Sequence, residues 1–326
     1  MEEQIKEEEL PTWCQFRGDD SINEDFSLPE APPWRTKNRE FNSYIPLTNK
    51  EIKMVNVALL LRRPLLITGK PGSGKSSLAE AVRRELGLGE KVLPWRITTQ
   101  SKFTDGLYSY DALSRLQDIQ FEETDQDGNK ISKKIENYLK LESLGMAFAS
   151  KQQRVVLIDE IDKSQIDLPN NLLHLFEENE FEIPELKRLD DYIFKPFNDT
   201  KSFDEIKNGL VKCDIDTFPL IIMTSNGERD FPPAFMRRCL HLHMTLPSPK
   251  DLAKIVNKHF EAINTTVDQS KLKKIIKSFC ELRDEDENKK YISTDQLLNA
   301  VYLMQEKNID LRLENIQDGI WKNLLG

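Results

Sequence analysis

The chain has 326 residues, of which 31% are charged and 38% hydrophobic, and its formal net charge is −9. A chain of this length exceeds the usual size of one hydrophobic core, so we expect a large domain with a smaller appendage. It contains no run of about 18 apolar residues, which argues against a transmembrane helix. Its N-terminus lacks the basic and apolar regions of a signal peptide, so we expect a cytoplasmic protein.

The negative charge is concentrated at the N-terminus. Residues 1–30 contain ten acidic and two basic residues, so the rest of the chain is nearly neutral. No basic stripe stands out, which argues against a protein that binds nucleic acid through its phosphates. Residues 1–45 are acidic and contain several prolines, and we predict a partly disordered arm there, with docking to a basic partner as the alternative.

The cysteines and histidines give no sign of a metal centre. Four cysteines lie far apart without a CxxC pair, which predicts reduced, packed thiols. His241 and His243 would share one face of a strand, but no cysteine or carboxylate lies in the same short segment. We therefore expect an edge or surface strand at these histidines.

The first predicted elements after the arm are a helix and a strand. Thr48 and Glu51 form a capping-box pattern, which predicts a helix over Asn49–Arg62 that is stopped by Pro64. Arginines at the end of this helix suit its dipole. The apolar segment Leu65–Thr68 then predicts a short buried strand that leads directly into a glycine-rich loop.

Two further apolar segments predict buried strands, Arg154–Ile158 and Phe218–Thr224, with helices over Ser76–Leu86 and Leu168–Asn179. Uniformly apolar strands are typical of a parallel sheet that is covered by helices on both faces. We interpret the polar ranges 117–137 and 185–216 as insertions or loops.

Beyond Pro249 the strand pattern stops and amphipathic helical patterns follow. The predicted helices are Asp251–Ile263, Ser270–Arg283, Thr294–Glu306 and Leu313–Leu325. The expected organisation is therefore an N-terminal arm (1–45), an α/β nucleotide-binding domain (46–248) and a helical lid domain (249–326).

The loop from Gly69 to Ser76 satisfies the GxxxxGK[ST] pattern in full, between a predicted strand and a predicted helix. Its glycines allow backbone N–H groups to turn inward around a phosphate, while a lysine contacts the β- and γ-phosphates and a serine hydroxyl binds Mg²⁺. This pattern indicates a P-loop NTPase that binds ATP. The residues assigned to phosphate binding are Gly69, Pro71, Gly72, Ser73, Gly74, Lys75, Ser76 and Ser77.

Two acidic residues directly follow the predicted strand Arg154–Ile158. We expect Asp159, together with Ser76, to hold Mg²⁺, and Glu160 to polarise the attacking water. Asn226, at the end of the third strand, is placed to orient the same water. Arg237 and Arg238 are candidates for stabilising charge on the transferred phosphoryl group, donated by a neighbouring subunit.

The order of the phosphate loop, VVLIDEID, IIMTSN and PPAFMRR resembles that of MoxR-type AAA+ ATPases over about residues 45–326. The resemblance implies Walker A roles for Lys75 and Ser76, Walker B roles for Asp159 and Glu160, and a sensor role for Asn226. It also implies a trans-acting arginine finger, for which Arg238 fits best and Arg237 is the rival.

The same resemblance implies ring-shaped homo-oligomers, often hexamers, that act on a protein partner such as a von Willebrand factor A-domain protein. In some bacterial gene clusters such proteins serve conflict and defence systems. The segment 292–296 departs from the family because it lacks the sensor arginine that usually stands there. The segment Phe103–Tyr110 lies near where ring ATPases place pore loops, which makes Tyr108 a candidate for gripping substrate.

Several functions stay open on the sequence alone. The leading hypothesis is an ATPase that remodels a protein partner or activates it in a chaperone-like manner. A nucleotide-gated assembly switch with slow hydrolysis is the alternative, and the missing sensor arginine supports it. A DNA-associated loader is disfavoured by the nearly neutral body, and a small-molecule kinase by the helical lid and the paired arginines.

Overall fold

The computed structural model describes residues 32, 45–120, 135–189, 192–196, 201–262, 265–284 and 293–306. These residues fall into two compact units, one within Ser43–Asp251 and the other from Leu252 onward. The predictions for the N-terminal arm and for the helix Leu313–Leu325 lie outside the described residues. Within the described ranges no helix is both long and apolar enough to cross a membrane.

The first unit alternates helices and strands along the chain. Its helices are α1 (Asn49–Leu61), α2 (Lys75–Leu86), α3 (Phe103–Leu107), α4 (Ala112–Gln120), α5 (Ser143–Phe148), α6 (Leu168–Glu178), α7 (Pro184–Lys187) and α8 (Pro233–Arg238). Its strands are β1 (Leu65–Thr68), β2 (Leu93–Arg96), β3 (Tyr108–Tyr110), β4 (Leu139–Leu141), β5 (Val155–Asp159), β6 (Glu180–Glu182), β7 (Ile193–Phe194), β8 (Ile206–Lys207), β9 (Leu210–Lys212), β10 (Leu220–Ser225) and β11 (Leu240–His243).

Five of these strands form the central sheet, in the order β11-β1-β10-β5-β2, and all of their pairings are parallel. Residues of β1 alternate between two hydrophobic clusters. Leu65 and Ile67 pack with Leu78 of α2 on one face, while Leu66 packs with the cluster of Phe148 from α5 on the other. Helices therefore cover both faces of the parallel sheet, which confirms the predicted P-loop α/β fold.

The capping box at α1 forms as predicted. The Thr48 hydroxyl accepts the Glu51 N–H at 3.5 Å, and the Glu51 carboxylate accepts the Thr48 N–H at 2.6 Å. The helix ends one residue earlier than predicted, at Leu61, because Arg62 adopts a left-handed conformation with φ of 52°. The side chain of the next residue, Arg63, bonds to the end of α8, as described below.

Residues 185–216 were interpreted as an insertion or a loop, and their described part is not a plain loop. They contain α7 and three short strands, which with β6 form an antiparallel sheet in the order β6-β9-β8-β7. Residues 117–137, interpreted in the same way, have helical structure at both described ends, since α4 continues to Gln120 and a 3-10 turn covers Ile135–Asn137. The strands of this small sheet contain only two or three residues each, too few to show a period. Contacts with other strands, and not a long apolar run, therefore define them.

The predicted edge strand at the histidines and the predicted free thiols at the described cysteines agree with the structure. β11, which holds His241 and His243, is an edge strand, and both side chains are exposed. Among the described residues, no group of three or more potential ligands could hold a metal ion. Cys213 and Cys239 are buried free thiols, and burial raises the pKa of each to about 12.

The second unit is helical, with α10 (Gln269–Asp284) and α11 (Thr294–Glu306). The helix α9 (Pro249–Glu261) begins before the unit boundary and contributes Leu252, Val256 and Phe260 to its core. The helical part of the predicted architecture is thus present.

Candidate active site

The site lies where β1, β5 and β10 end, which we call the carboxyl edge of the sheet. The register aligns these ends, since Thr68 pairs with Ser225 and Ile158 pairs with Met223. The phosphate-binding loop follows β1, the acidic residues close β5, and Asn226 follows β10. Ligands of open α/β sheets bind at such an edge.

The loop between β1 and α2 requires its glycines. Gly69, Gly72 and Gly74 have φ of 152°, 79° and 90°, in the region that side chains with a Cβ avoid. A Cβ on Gly69 would lie 2.3 Å from the Met244 carbonyl oxygen, and one on Gly74 would lie 2.4 Å from an Ile45 methyl carbon. The loop is therefore fixed by conformation and by close packing.

The other loop residues predicted to bind phosphate surround these glycines. Pro71 and Gly72 form the turn of the loop. Ser73 is buried, and its hydroxyl has no hydrogen-bond partner in the described part of the chain. Ser76 and Ser77 occupy the first turn of α2, whose N-terminus favours an anion.

Lys75 lies at the centre of the site. Its ammonium donates to the Gly69 carbonyl at 2.6 Å, to the Lys70 carbonyl at 3.1 Å and to the Asn226 side-chain oxygen at 2.9 Å. Burial lowers the pKa of Lys75, while the carboxylates of Asp159, Asp162 and Glu160 oppose the decrease. This lysine is a buried cation whose three partners in the described part of the chain are oxygens, and phosphate oxygens could take their place.

The predicted metal ligands also meet. The Ser76 hydroxyl donates to Asp159 Oδ1 at 2.9 Å, and the Thr224 hydroxyl donates to the same oxygen at 2.6 Å. Carboxylate and hydroxyl oxygens are the donors that Mg²⁺ prefers. The donor set beside the phosphate loop therefore fits a magnesium ion, with Ser76 and Asp159 as the residues that would hold it.

Glu160 is held in an uncommon backbone conformation for a residue other than glycine, with φ of 60°. Its N–H donates to the Thr224 hydroxyl at 2.9 Å, and its carboxylate accepts the Lys163 ammonium at 2.9 Å. The hydrogen bond to Glu160 raises the pKa of Lys163. The tip of β5 thus presents the Glu160 carboxylate, with about 40% of its side chain exposed, beside the Lys75 site.

The two arginines are at the opposite end of the sheet, which we call the amino edge. Leu240, which starts β11, donates to the Pro64 carbonyl just before β1, so Arg237 and Arg238 precede the start of these parallel strands. The four residues of β1 span about 13 Å. Neither arginine can therefore reach the phosphate loop of its own chain.

The arginines differ in their partners. Arg238 Nε pairs with the Glu177 carboxylate of α6, and its side chain is 45% exposed. Arg237 is also exposed. Arg63 donates to the backbone carbonyls of both, at 2.9 Å from Nε to the Arg238 oxygen, and so caps the C-terminal end of α8.

Four residues that organise these edges were not predicted from the sequence: Asp162, Thr224, Glu177 and Arg63. Asp162 and Thr224 stand inside the motifs VVLIDEID and IIMTSN, but their roles depend on contacts between strands that are distant in sequence. Tyr108, the candidate pore residue, packs against the core, and burial with a hydrogen bond to Glu185 raises its pKa to about 12. Its role in gripping substrate stays a prediction.

A parallel sheet with a phosphate-binding loop after β1 and an acidic pair after β5 defines a P-loop nucleotide-binding domain of the AAA+ class. The family model for the AAA domain (dynein-related subfamily) matches residues 64–239, more than half of the chain, and the chain belongs to this family. The match includes all the candidate site residues. Among curated proteins, none matches the chain.

Proposed function

We propose that this protein binds ATP with Mg²⁺ and hydrolyses it. The observation that carries the proposal is the arrangement around Lys75: a buried ammonium held by loop carbonyls and Asn226, next to the Ser76–Asp159 pair. Phosphoryl transfer needs positioning and charge stabilisation more than covalent chemistry, and this arrangement supplies both.

Each residue of the carboxyl edge has a proposed role. Lys75 and the loop N–H groups bind the phosphates, and Ser76 with Asp159 holds the metal. The magnesium ion, when bound, neutralises charge on the phosphate oxygens. Glu160 accepts a proton from the attacking water, and Asn226 orients that water. Lys163, bonded to Glu160, restricts the position of this carboxylate before the water is engaged.

We further propose that the active unit is a homo-oligomeric ring. The amino edge supports this proposal, because Arg238 lies too far from its own phosphate loop to act there. Its pair with Glu177 forms through Nε, and 45% of its side chain is exposed, so the guanidinium is open to a phosphate held by a neighbouring subunit. The MoxR-type assignment rests on motif order, and it implies remodelling of a protein partner, such as a von Willebrand factor A-domain protein.

The experiment that tests the core proposal is a titration with a fluorescent ATP analogue and Mg²⁺, together with a phosphate-release assay. Lys75→Ala should weaken nucleotide binding by about 100-fold, since it removes a charged partner of the phosphates. Lys70→Ala, the same change in the same loop at an exposed lysine, is the matched control and should bind like the wild type. Absence of nucleotide binding by the wild type would refute the proposal.

A nucleotide-gated switch is the second candidate function. The observation in its favour is the segment Ser293–Gln296 at the start of α11, which contains no arginine. A lid without this cation would sense the γ-phosphate weakly. Measuring the hydrolysis rate with and without the partner protein separates the candidates, because a motor accelerates on engagement while a slow switch keeps its basal rate.

A further inference from the structure

One buried carboxylate at the carboxyl edge has no role in the proposed chemistry. Asp162 lies in the 3-10 turn Ile161–Lys163 after β5, with 4% of its surface exposed. Its Oδ2 atom accepts the N–H of Asn226 at 2.9 Å and the N–H of Glu228 at 3.1 Å. This side chain therefore links the acidic turn after β5 to the loop after β10.

The two carboxylate oxygens of Asp162 differ in their hydrogen bonds. One oxygen accepts both N–H groups, while Oδ1 is buried and has no hydrogen-bond partner among the described residues. A buried carboxylate is costly unless its bonds compensate, so a side chain that served only for packing would be better apolar. Two N–H bonds to one charged oxygen are directional and hold a backbone segment more tightly than packing does.

The loop held by Asp162 carries the side chain that contacts Lys75. Asn226 Oδ1 accepts the Lys75 ammonium at 2.9 Å. Gly227, between the two bonded N–H groups, has φ of 79° and nothing within 4 Å of a hypothetical Cβ, so packing does not restrain the middle of the loop. Asp162 restrains the loop from both sides of this glycine.

We infer that Asp162 is a positioning residue, which sets the Asn226 side chain relative to Lys75 and Glu160 by holding the backbone of the loop after β10. This inference rests on the proposed ATPase function. It assigns to the acidic motif a third carboxylate, which acts through the backbone of the loop that carries Asn226.

The kinetic test compares three changes in the full-length protein. Asp162→Ala should lower kcat by about 10- to 100-fold, the scale expected for a displaced positioning group, with KM for ATP changed less than about threefold. Asp162→Asn keeps an oxygen that can accept both N–H groups and should recover most of the lost kcat. In an Asn226→Ala background, Asp162→Ala should cause no further loss, because its effect passes through Asn226.

A stability control separates positioning from general damage. Ser143→Ala removes a partly buried hydrogen bond to the Pro94 carbonyl, 2.6 Å long, in the same unit but outside the site. It should lower thermal stability without lowering kcat. An equal kcat loss in Ser143→Ala, or an undiminished effect of Asp162→Ala in the Asn226→Ala background, would overturn the inference. So would an Asp162→Asn protein as slow as Asp162→Ala.

Hydrogen exchange supplies a readout that does not depend on turnover. The amides of Asn226 and Glu228 should lose protection in Asp162→Ala, keep most of it in Asp162→Asn and stay unchanged in Ser143→Ala. Unchanged exchange at both amides in Asp162→Ala would refute the inference even if the ATPase is active. A wild type without turnover would refute the proposed function, and the exchange result would still decide whether Asp162 holds the loop.

Discussion

The two edges of the parallel sheet differ in how completely their functional side chains are bonded. At the carboxyl edge, Lys75 has three oxygen partners and Asp159 accepts two hydroxyls, all within one chain. At the amino edge, Arg238 is nearly half exposed and is held by a single carboxylate. The functional side chains of the carboxyl edge are thus held in place by bonds within one chain, while the amino edge exposes arginine side chains to solvent.

This difference fits the proposed division of labour between neighbouring subunits. A site that depends on a second chain needs one surface with a fixed pocket and another with exposed groups that enter the neighbour's pocket. The helix α8 is short and begins with a proline, which suits the first turn, and its end is capped by Arg63. The backbone of the amino edge is therefore fixed although its arginine side chains are exposed.

The largest expected effect comes from the amino edge. Arg238→Ala should lower kcat by about 10³-fold, because a finger supplied in trans is worth 10³–10⁵ in related phosphoryl transfer. Nucleotide binding should change little. Arg237→Ala is the matched control, an adjacent arginine on the same helix, and should lower kcat by less than about tenfold. The reverse order of the two effects would assign the finger to Arg237.

Mixing experiments test whether this arginine acts on a neighbouring subunit. Arg238→Ala subunits lack the finger, and Lys75→Ala subunits lack the phosphate site. Mixed oligomers contain interfaces with an intact finger facing an intact site, so turnover should partly recover. Titrating the ratio of the two proteins in a phosphate-release assay measures this recovery. If no ratio restores activity, catalysis between subunits is excluded.

The second-largest expected loss of kcat comes from a change at the carboxyl edge. Glu160→Gln keeps the size of the side chain but removes the base, so kcat should fall by about 10²-fold or more. Nucleotide affinity should stay within about threefold of the wild type, as measured by titration with a fluorescent analogue. Glu178→Gln, an exposed acid at the end of α6, is the control. Unchanged turnover in Glu160→Gln would remove this residue from the chemistry.

Much of the carboxyl edge is predictable from the sequence, because its signals are local. Loop, strand and helix at Gly69–Ser76 are contiguous, and the apolar runs ending at Asp159 and Ser225 identify strands whose ends align in a parallel sheet. The capping box of α1 is equally local. In each case a few adjacent residues determine both conformation and chemistry.

The contacts between distant segments could not be predicted in this way. Thr224 and Asp159 meet only because β10 and β5 are neighbours in register, and the sequence does not specify strand order. The small sheet of β6, β7, β8 and β9 was missed because each strand is too short to show a period. Pairing across long separations determines these features, and one sequence contains little information about such pairing.

A smaller effect would sharpen the assignment of the finger. Glu177 holds Arg238 Nε, so Glu177→Gln should reorient the guanidinium and lower kcat by about three- to tenfold without changing nucleotide affinity. Stability should hardly change, because exposed ion pairs contribute little. A phosphate-release assay on oligomers of matched size measures the effect, with Glu178→Gln again as control. If Glu177→Gln leaves kcat unchanged while Arg238→Ala lowers it strongly, the arginine finger does not depend on its ion pair with Glu177.

The smallest expected effect is on the free energy of unfolding, which we compare for one variant at each edge. Thr224→Val removes the hydroxyl that accepts the Glu160 N–H and donates to Asp159, at a position 1% exposed. It should lower the free energy of unfolding by about 1–3 kcal/mol, because a backbone N–H at the strand tip loses its partner. Arg63→Ala loses bonds that lie near solvent, where water can replace them, and should cost less than about 1 kcal/mol. Denaturant unfolding of both variants measures the difference. A larger cost at Arg63 would contradict the comparison, since it would place the tighter bonding at the amino edge.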